Sequence, residues 1–127
     1  MRYHKDWTLP ENNEVFVFGS NMAGKHGLGS ALKARTNYGA IYGVGEGMTG
    51  NSYAIPTKGH RLEILSLRVI HGYVQNFLTY ARANLDTEFF VTRIGCGYAG
   101  YGDEHIGPMF MTAPPNCILP EEWREYR

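Results

Sequence analysis

Glu14 to Leu32 reads EVFVFGSNMAGKHGLGSAL, and the architecture follows from how the character of this run changes along its length. Val15, Phe16, Val17 and Phe18 are β-branched and aromatic without a polar interruption, the composition of a strand buried on both faces of a sheet. Gly19, Ser20 and Asn21 end the run with small, turn-forming side chains, and Gly24, Gly27 and Gly29 allow close approaches that a Cβ forbids. From Ser30 the residues SALKA are good helix formers, so the segment reads strand, glycine-rich loop, helix. Such a loop turns several backbone N–H groups toward one point, and the ligand that suits it is an anion, with phosphate the natural choice.

Two nucleotide motifs are nearly met. Gly19 to His26, GSNMAGKH, follows the P-loop pattern up to its last position, where His26 stands in place of the Ser or Thr that holds magnesium. No later apolar strand ends in the aspartate that a P-loop enzyme needs, and Gly27 and Gly29 open a long helix poorly. Gly45 to Gly50, GEGMTG, matches a dinucleotide fingerprint in letters only, because strand-like SYAIP follows it where a helix is required. The sequence therefore argues against both motifs.

A chain of 127 residues is expected to form one domain, residues 1–127, that buries about two thirds of its unfolded surface. Twelve Lys and Arg balance twelve Asp and Glu, so no global field gathers nucleic acid or a membrane surface. The apolar runs are too short to span a bilayer, and the start MRYHKDW lacks the apolar segment of a signal peptide, so a cytoplasmic protein is expected. Cys96 and Cys117 have no Cys or His at ligand spacing, and His26, His60, His71 and His105 are scattered, so the sequence implies no metal and no bound cofactor.

In chain order, Met1 to Asn13 is expected to pack along an edge through Trp7 and Leu9, with a turn at Asn12 and Asn13. Strand Val15–Phe18 and a helix from about Ser30 to Tyr38, capped by Gly39, come next. Ala40 to Val44 reads as a short strand, and Gly43 to Asn51 as a glycine loop that is either mobile or closes on a ligand. Ser52 to Thr57 reads as a strand closed by Pro56. From Ser66 to Asn84 the residues Val69, Ile70, Tyr73, Val74, Phe77, Leu78 and Ala81 make the stripe of an amphipathic helix. Phe89 to Ile94 is a second buried strand ending in the loop GCGYAGYG, after which Asp103 stands as the N-cap of a helix reaching about Thr112. Cys117 to Leu119 is a last short strand, and the acidic tail is a surface turn anchored by Trp123. The alternation implies an α/β fold, a three-layer α/β/α sandwich with a partly parallel sheet and helices on both faces. Two glycine loops then share the carboxyl edge of neighbouring strands.

The order of strand, FGSN, glycine loop and helix, then YAIPTK, then FFVTRIGCG before a helix, resembles the macrodomain family from Val15 to Leu119, with IGCG its most specific piece. The likeness is greatest to the terminal ADP-ribose protein glycohydrolase branch, and the chain also resembles short macrodomain-like proteins of bacteriophages, where the use would be to sequester a nucleotide immune signal in the host cytoplasm. The resemblance implies a mixed sheet and a small-molecule partner, ADP-ribose or a related NAD-derived nucleotide. It puts Asn21 by the distal ribose, with Gly19 and Ser20 beside it among the ligand-binding residues, Gly24, His26, Gly27, Gly29 and Ser30 around that ribose and the diphosphate, and Gly95, Cys96, Gly97, Tyr98, Ala99, Gly100 and Tyr101 in a second phosphate clamp. Tyr98 and Tyr101 either cover the phosphates, stack on a base for roughly 1–3 kcal/mol, or pack as ordinary aromatics.

Catalysis in that branch uses a lysine nucleophile and an assisting carboxylate, and Lys58 in YAIPTK matches the lysine. The carboxylate position falls on Ala99, which moves no proton; Asp103, four residues on, is the alternative candidate. Hydrolases of the other macrodomain branch use an aspartate in the first glycine loop, and Met22 to Ser30 contains none. Three readings stand at this point: a nucleotide-binding module, a hydrolase of ADP-ribosyl derivatives acting through Lys58 with Asp103, and a protein-interaction domain whose loops are merely flexible.

Overall fold

A computed structural model describes residues 2–5, 8–11 and 13–126. The elements in order are β1 (Tyr3–His4), β2 (Val15–Asn21), α1 (Gly29–Asn37), β3 (Gly47–Thr49), β4 (Ser52–Lys58), α2 (Leu67–Arg82), β5 (Phe89–Val91), α3 (Asp103–Ile106) and β6 (Cys117–Pro120), with 3-10 turns at Gly107–Phe110 and Glu121–Tyr126. The sheet runs β1-β6-β5-β2-β4-β3, parallel throughout except for the antiparallel edge pair of β3 and β4.

The two-residue period of a strand sorts the apolar run of β2 to the two faces. Val15 and Val17 join Tyr53, Ile55, Phe89 and Val91 in a core covered by α2, while Phe16 and Phe18 join Ala54 and Phe90 beneath α1. The register agrees, with Val17 opposite Tyr53 and Phe16 opposite Phe90. α1 buries only Ala31 and Ala34, which lets its backbone lie close to the sheet. α2 starts at Ser66, whose hydroxyl accepts a hydrogen bond from the Val69 N–H, and buries Ile70, Val74, Phe77, Leu78 and Ala81. Val69 itself lies outside this stripe, exposed to solvent. Helices on both faces of a mixed sheet make the expected three-layer α/β sandwich.

Several boundaries depart from the sequence reading. β2 continues through Gly19, Ser20 and Asn21 because β4 runs alongside as far as Lys58, past Pro56. A central strand tolerates that proline at a bulge, and the register shifts between Ser20 and Asn21, where the Thr57 hydroxyl donates to Ser20 O. Ala40 to Val44 forms turns and no strand: Ala40 N–H closes back on Ala34 O, and Gly39 and Gly43 have φ of 76° and 97°. At the N-terminal edge Tyr3–His4 pairs with β6 while Leu9 is exposed, and Trp7 and Asn12 lie outside the described residues. The N-cap of α3 is Gly102, with Asp103 the first helical residue, and α3 gives way to a 3-10 turn at Gly107 because Pro108 has no N–H for the α ladder. Trp123, 1% exposed, anchors the tail as expected. Among the described residues no helix is long and apolar enough to cross a membrane.

Candidate functional site

Strands β2 and β5 lie side by side and parallel, so the loops that follow them emerge at one edge and face each other across a cleft of about 390 Å³. Lys58, at the end of β4 on the other side of β2, closes a third wall. Asn21 shapes the first loop: its Oδ1 accepts from Lys25 N–H at 2.9 Å and its Nδ2 donates to Lys25 O at 2.7 Å. Gly24 has φ of 70°, and a Cβ there would sit 2.2 Å from the backbone of Gly43. Gly43 and Gly45 of the GVGEG segment thus lie against the first loop, with Gly43 N–H donating to Gly24 O and the Ser20 hydroxyl to Gly45 O. α1 begins at Leu28 and Gly29 without a side-chain cap, which leaves its first turn open toward the cleft.

The second loop turns at Gly95 and Gly100, with φ of 73° and 80°, and is pinned by Tyr101 N–H to Gly95 O. Tyr98 is two-thirds exposed; its ring lies against Gly29, where a Cβ would come within 2.9 Å, and Lys58 Nζ stands 5.7 Å from its centroid. Tyr98 therefore spans the cleft from the first loop to Lys58. The Tyr101 hydroxyl turns away to donate to Leu65 O.

Of the residues singled out from the sequence, Gly19, Ser20, Asn21, Gly27, Gly29, Ser30, Lys58, Gly95, Gly97, Tyr98 and Ala99 line this cleft. Gly24, His26, Gly100, Tyr101 and Asp103 do not. His26 is fully buried, its Nε2–H donating to Val44 O at 3.1 Å and its ring edge-on to Phe18. Cys96 belongs to an adjoining cavity of about 560 Å³, bordered by His4, Lys5, Phe16, Lys33 and Phe90 and sharing Gly29, Ser30, Thr92, Arg93 and Gly97 with the cleft. The His4 ring stacks on Phe90 at 4.0 Å there. Burial first, then the neighbouring Asp103 carboxylate, pushes the Cys96 thiol up to about 12, so it is no nucleophile near neutral pH.

Asp103 has a different occupation from the capping role read in sequence. Its carboxylate accepts from Arg93 Nε at 3.1 Å and Nη2 at 2.6 Å, from Trp123 Nε1 at 2.8 Å and from the Cys96 thiol at 3.5 Å. Burial pushes its pKa up, but the bonds from Arg93 and Trp123 outweigh that and hold it below the ordinary carboxylate value. Sequence reading also missed Arg93, Thr92, Thr57 and Leu62 as lining residues. Among the described residues the cleft is lined by Lys25 and Lys58 and by Arg93, whose charge is paired with Asp103 behind it, and by no carboxylate, so its unbalanced charge comes from the two lysines. No group of three or more potential His, Cys, Asp or Glu metal ligands occurs among the described residues.

Sheet order, helices on both faces and a cleft at the carboxyl ends of adjacent parallel strands define an α/β sandwich of the macrodomain type. The chain is similar in structure to the macrodomain of Mycobacterium tuberculosis DarG, with a TM-score of 0.68 and 20% sequence identity over 94% of this chain and 95% of that one. It therefore has the macrodomain fold. No protein family matches it by sequence, and no curated protein does.

Proposed function

We propose that the protein binds ADP-ribose or a closely related NAD-derived nucleotide in the paired cavities and does not turn it over. The observation that carries this reading is the lining of the cleft: two glycine-bearing loops, an uncapped helix start and, among the described residues, Lys25 and Lys58 with no carboxylate, Arg93 being paired with Asp103. An anion is the ligand such a lining stabilises, since each charge-assisted hydrogen bond from the loops contributes on the order of 1.5–3 kcal/mol. The shared wall at Gly29, Ser30 and Gly97 takes the diphosphate. The aromatic cavity of Phe16, His4 and Phe90 takes the base, and the distal ribose lies toward Asn21 and Lys58. Bound without cleavage, the nucleotide is withheld from other acceptors.

Lys58 works here as an ammonium. To attack a sugar carbon it would have to lose its proton and be helped by a carboxylate at the ribose, and Asp103, outside the cleft, is occupied by Arg93 and Trp123. Titration calorimetry tests the reading. ADP-ribose should bind wild type, and Gly97→Val should abolish binding with the fold intact, since a Cβ at Gly97 meets nothing within 4 Å while the larger side chain enters the cleft. Lys58→Ala should weaken binding about tenfold, and Lys58→Arg should keep most of it. Multiple turnover of ADP-ribosyl esters by wild type, lost in both Lys58 variants and in Asp103→Ala, would instead establish a hydrolase.

A further inference from the structure

The cavity beside the cleft, about 560 Å³, has an aromatic floor and cationic sides. Phe16 and Phe90 of the core beneath α1 form the floor together with His4, whose ring stacks on Phe90 and whose Nε2–H donates to Val91 O. α1 packs on β2, while β1 stands at the far edge of the sheet beyond β5 and β6, so the cavity has α1 on one side and the segment after β1 on the other. Lys33 lines it from α1. It follows Gly29 and Ser30 by four and three residues, which puts it on the same helix face, about one turn or ~5 Å beyond the wall shared with the cleft. Lys5 lines the cavity from the opposite side, directly after β1.

Neither lysine lines the cleft, and neither side chain has an ion pair or a hydrogen bond among the described residues. No carboxylate lines this cavity among those residues, and its other cation, Arg93, is paired with Asp103. Two like charges on opposite sides of one cavity repel each other, and an anion between them reverses the sign of that interaction.

We propose that Lys5 and Lys33 form a second anion site, for a phosphomonoester on the adenosine ribose, so that the preferred ligand is an ADP-ribose phosphorylated on that sugar. The inference rests on the nucleotide-binding reading and adds to it the substituent that the base-side cavity selects. With the base on the aromatic floor and the diphosphate at Gly29, Ser30 and Gly97, the ribose that joins them lies between, and its hydroxyls are the positions that face the sides of the cavity. A phosphomonoester there brings roughly 1.5 to 2 negative charges near neutral pH. Lysine suits it, since an ammonium on a flexible stem reaches a phosphate without a fixed angle of approach. A 2′-phosphate, as an NADP-derived nucleotide carries, and a 3′-phosphate share this chemistry.

Titration calorimetry on the full chain compares ADP-ribose with its 2′-phosphorylated form, and adenosine 5′-monophosphate with the 2′,5′- and 3′,5′-bisphosphates. The readout is the ratio of affinities with and without the extra phosphate. Each exposed lysine is expected to contribute about threefold, so wild type should favour 2′-phospho-ADP-ribose, or the 3′,5′-bisphosphate over the monophosphate, by about tenfold. Lys5→Gln and Lys33→Gln should each lower the favoured ratio about threefold, and the double variant should bring it to about one. The bisphosphate with the larger ratio identifies the hydroxyl that bears the phosphate. ADP-ribose binding with ratios near one for both positions in wild type, or a preference that survives in the double variant, would overturn this inference and leave the nucleotide reading standing. Absence of binding by every one of these nucleotides would overturn both.

Discussion

His26 looks in sequence like the residue that spoils a P-loop, and in three dimensions it is a buried tether. Its Nε2–H reaches Val44 O while Nδ1 is enclosed with no hydrogen-bond partner, so the imidazole is neutral and ties the first loop to the GVGEG segment. Burial pushes its pKa below the ordinary histidine value; the bond to Val44 O works against that, and the Arg35 charge adds to the lowering. Unfolded, the ring takes a proton near pH 6.5; folded, it does so only at lower pH. Stability rises with pH wherever the unfolded chain binds more protons, so the contribution of neutral His26 is complete above about pH 6.5 and is lost as pH falls through the folded value. The urea midpoint should accordingly drop on acidification from pH 7 toward 5, and His26→Gln should flatten that part of the profile. An identical acid limb in the variant would show that another group carries the effect.

At the scale of elements, Gly45 and Gly50 of GEGMTG serve the protein's own backbone. A Cβ on Gly45 would lie 2.4 Å from Asn21 O and 3.0 Å from Met22 Cα, so the segment packs on the turn that Asn21 organises. Gly45→Ala should therefore weaken ADP-ribose binding more than about tenfold by displacing that turn, the cost of closing such a clash being of order 1–3 kcal/mol. Gly72→Ala, in α2 where a Cβ meets nothing, should leave affinity unchanged. The Gly43 amide, bonded to Gly24 O at 2.8 Å, should already exchange slowly in the free protein and change little on nucleotide addition; a large ligand-induced slowing would restore the idea of a closing flap. Why this was not legible is physical: a glycine marks a close approach without saying to what. The core of β2 and α2 was legible because the apolar run Val15–Phe18 and the stripe through Ile70, Val74, Phe77, Leu78 and Ala81 are undisturbed, and the two loops because their glycines follow apolar runs. α3 was not, since its end depends on Pro108 and its first carboxylate on partners ten and twenty residues away, Arg93 and Trp123. Arg93 in FFVTRI looked like one more strand residue because nothing local reveals that pairing stops at Val91.

For the molecule as a whole, recognition must be local. With a formal net charge of +0 there is no long-range field to steer an anion, and the attraction is confined to the cleft and its cations. Both loops are continuous with the central strands β2 and β5, so the proposed nucleotide site exists only while the sheet is formed, and binding there adds to global stability. At about a hundred times its dissociation constant a ligand adds about 2.7 kcal/mol, which in a chain of this size raises the thermal midpoint on the order of 10 °C. Scanning calorimetry should show such a rise with ADP-ribose, a smaller one with ADP, and the smallest with equal adenosine, which reaches the aromatic cavity but brings no phosphate to the loop N–H groups, Lys25 or Lys58. The order is the informative quantity, because each step removes contacts from one end of the paired cavities. Equal shifts from adenosine and ADP-ribose would mean that the glycine loops contribute nothing to binding, and the anion-receptive reading of the cleft would have to be given up.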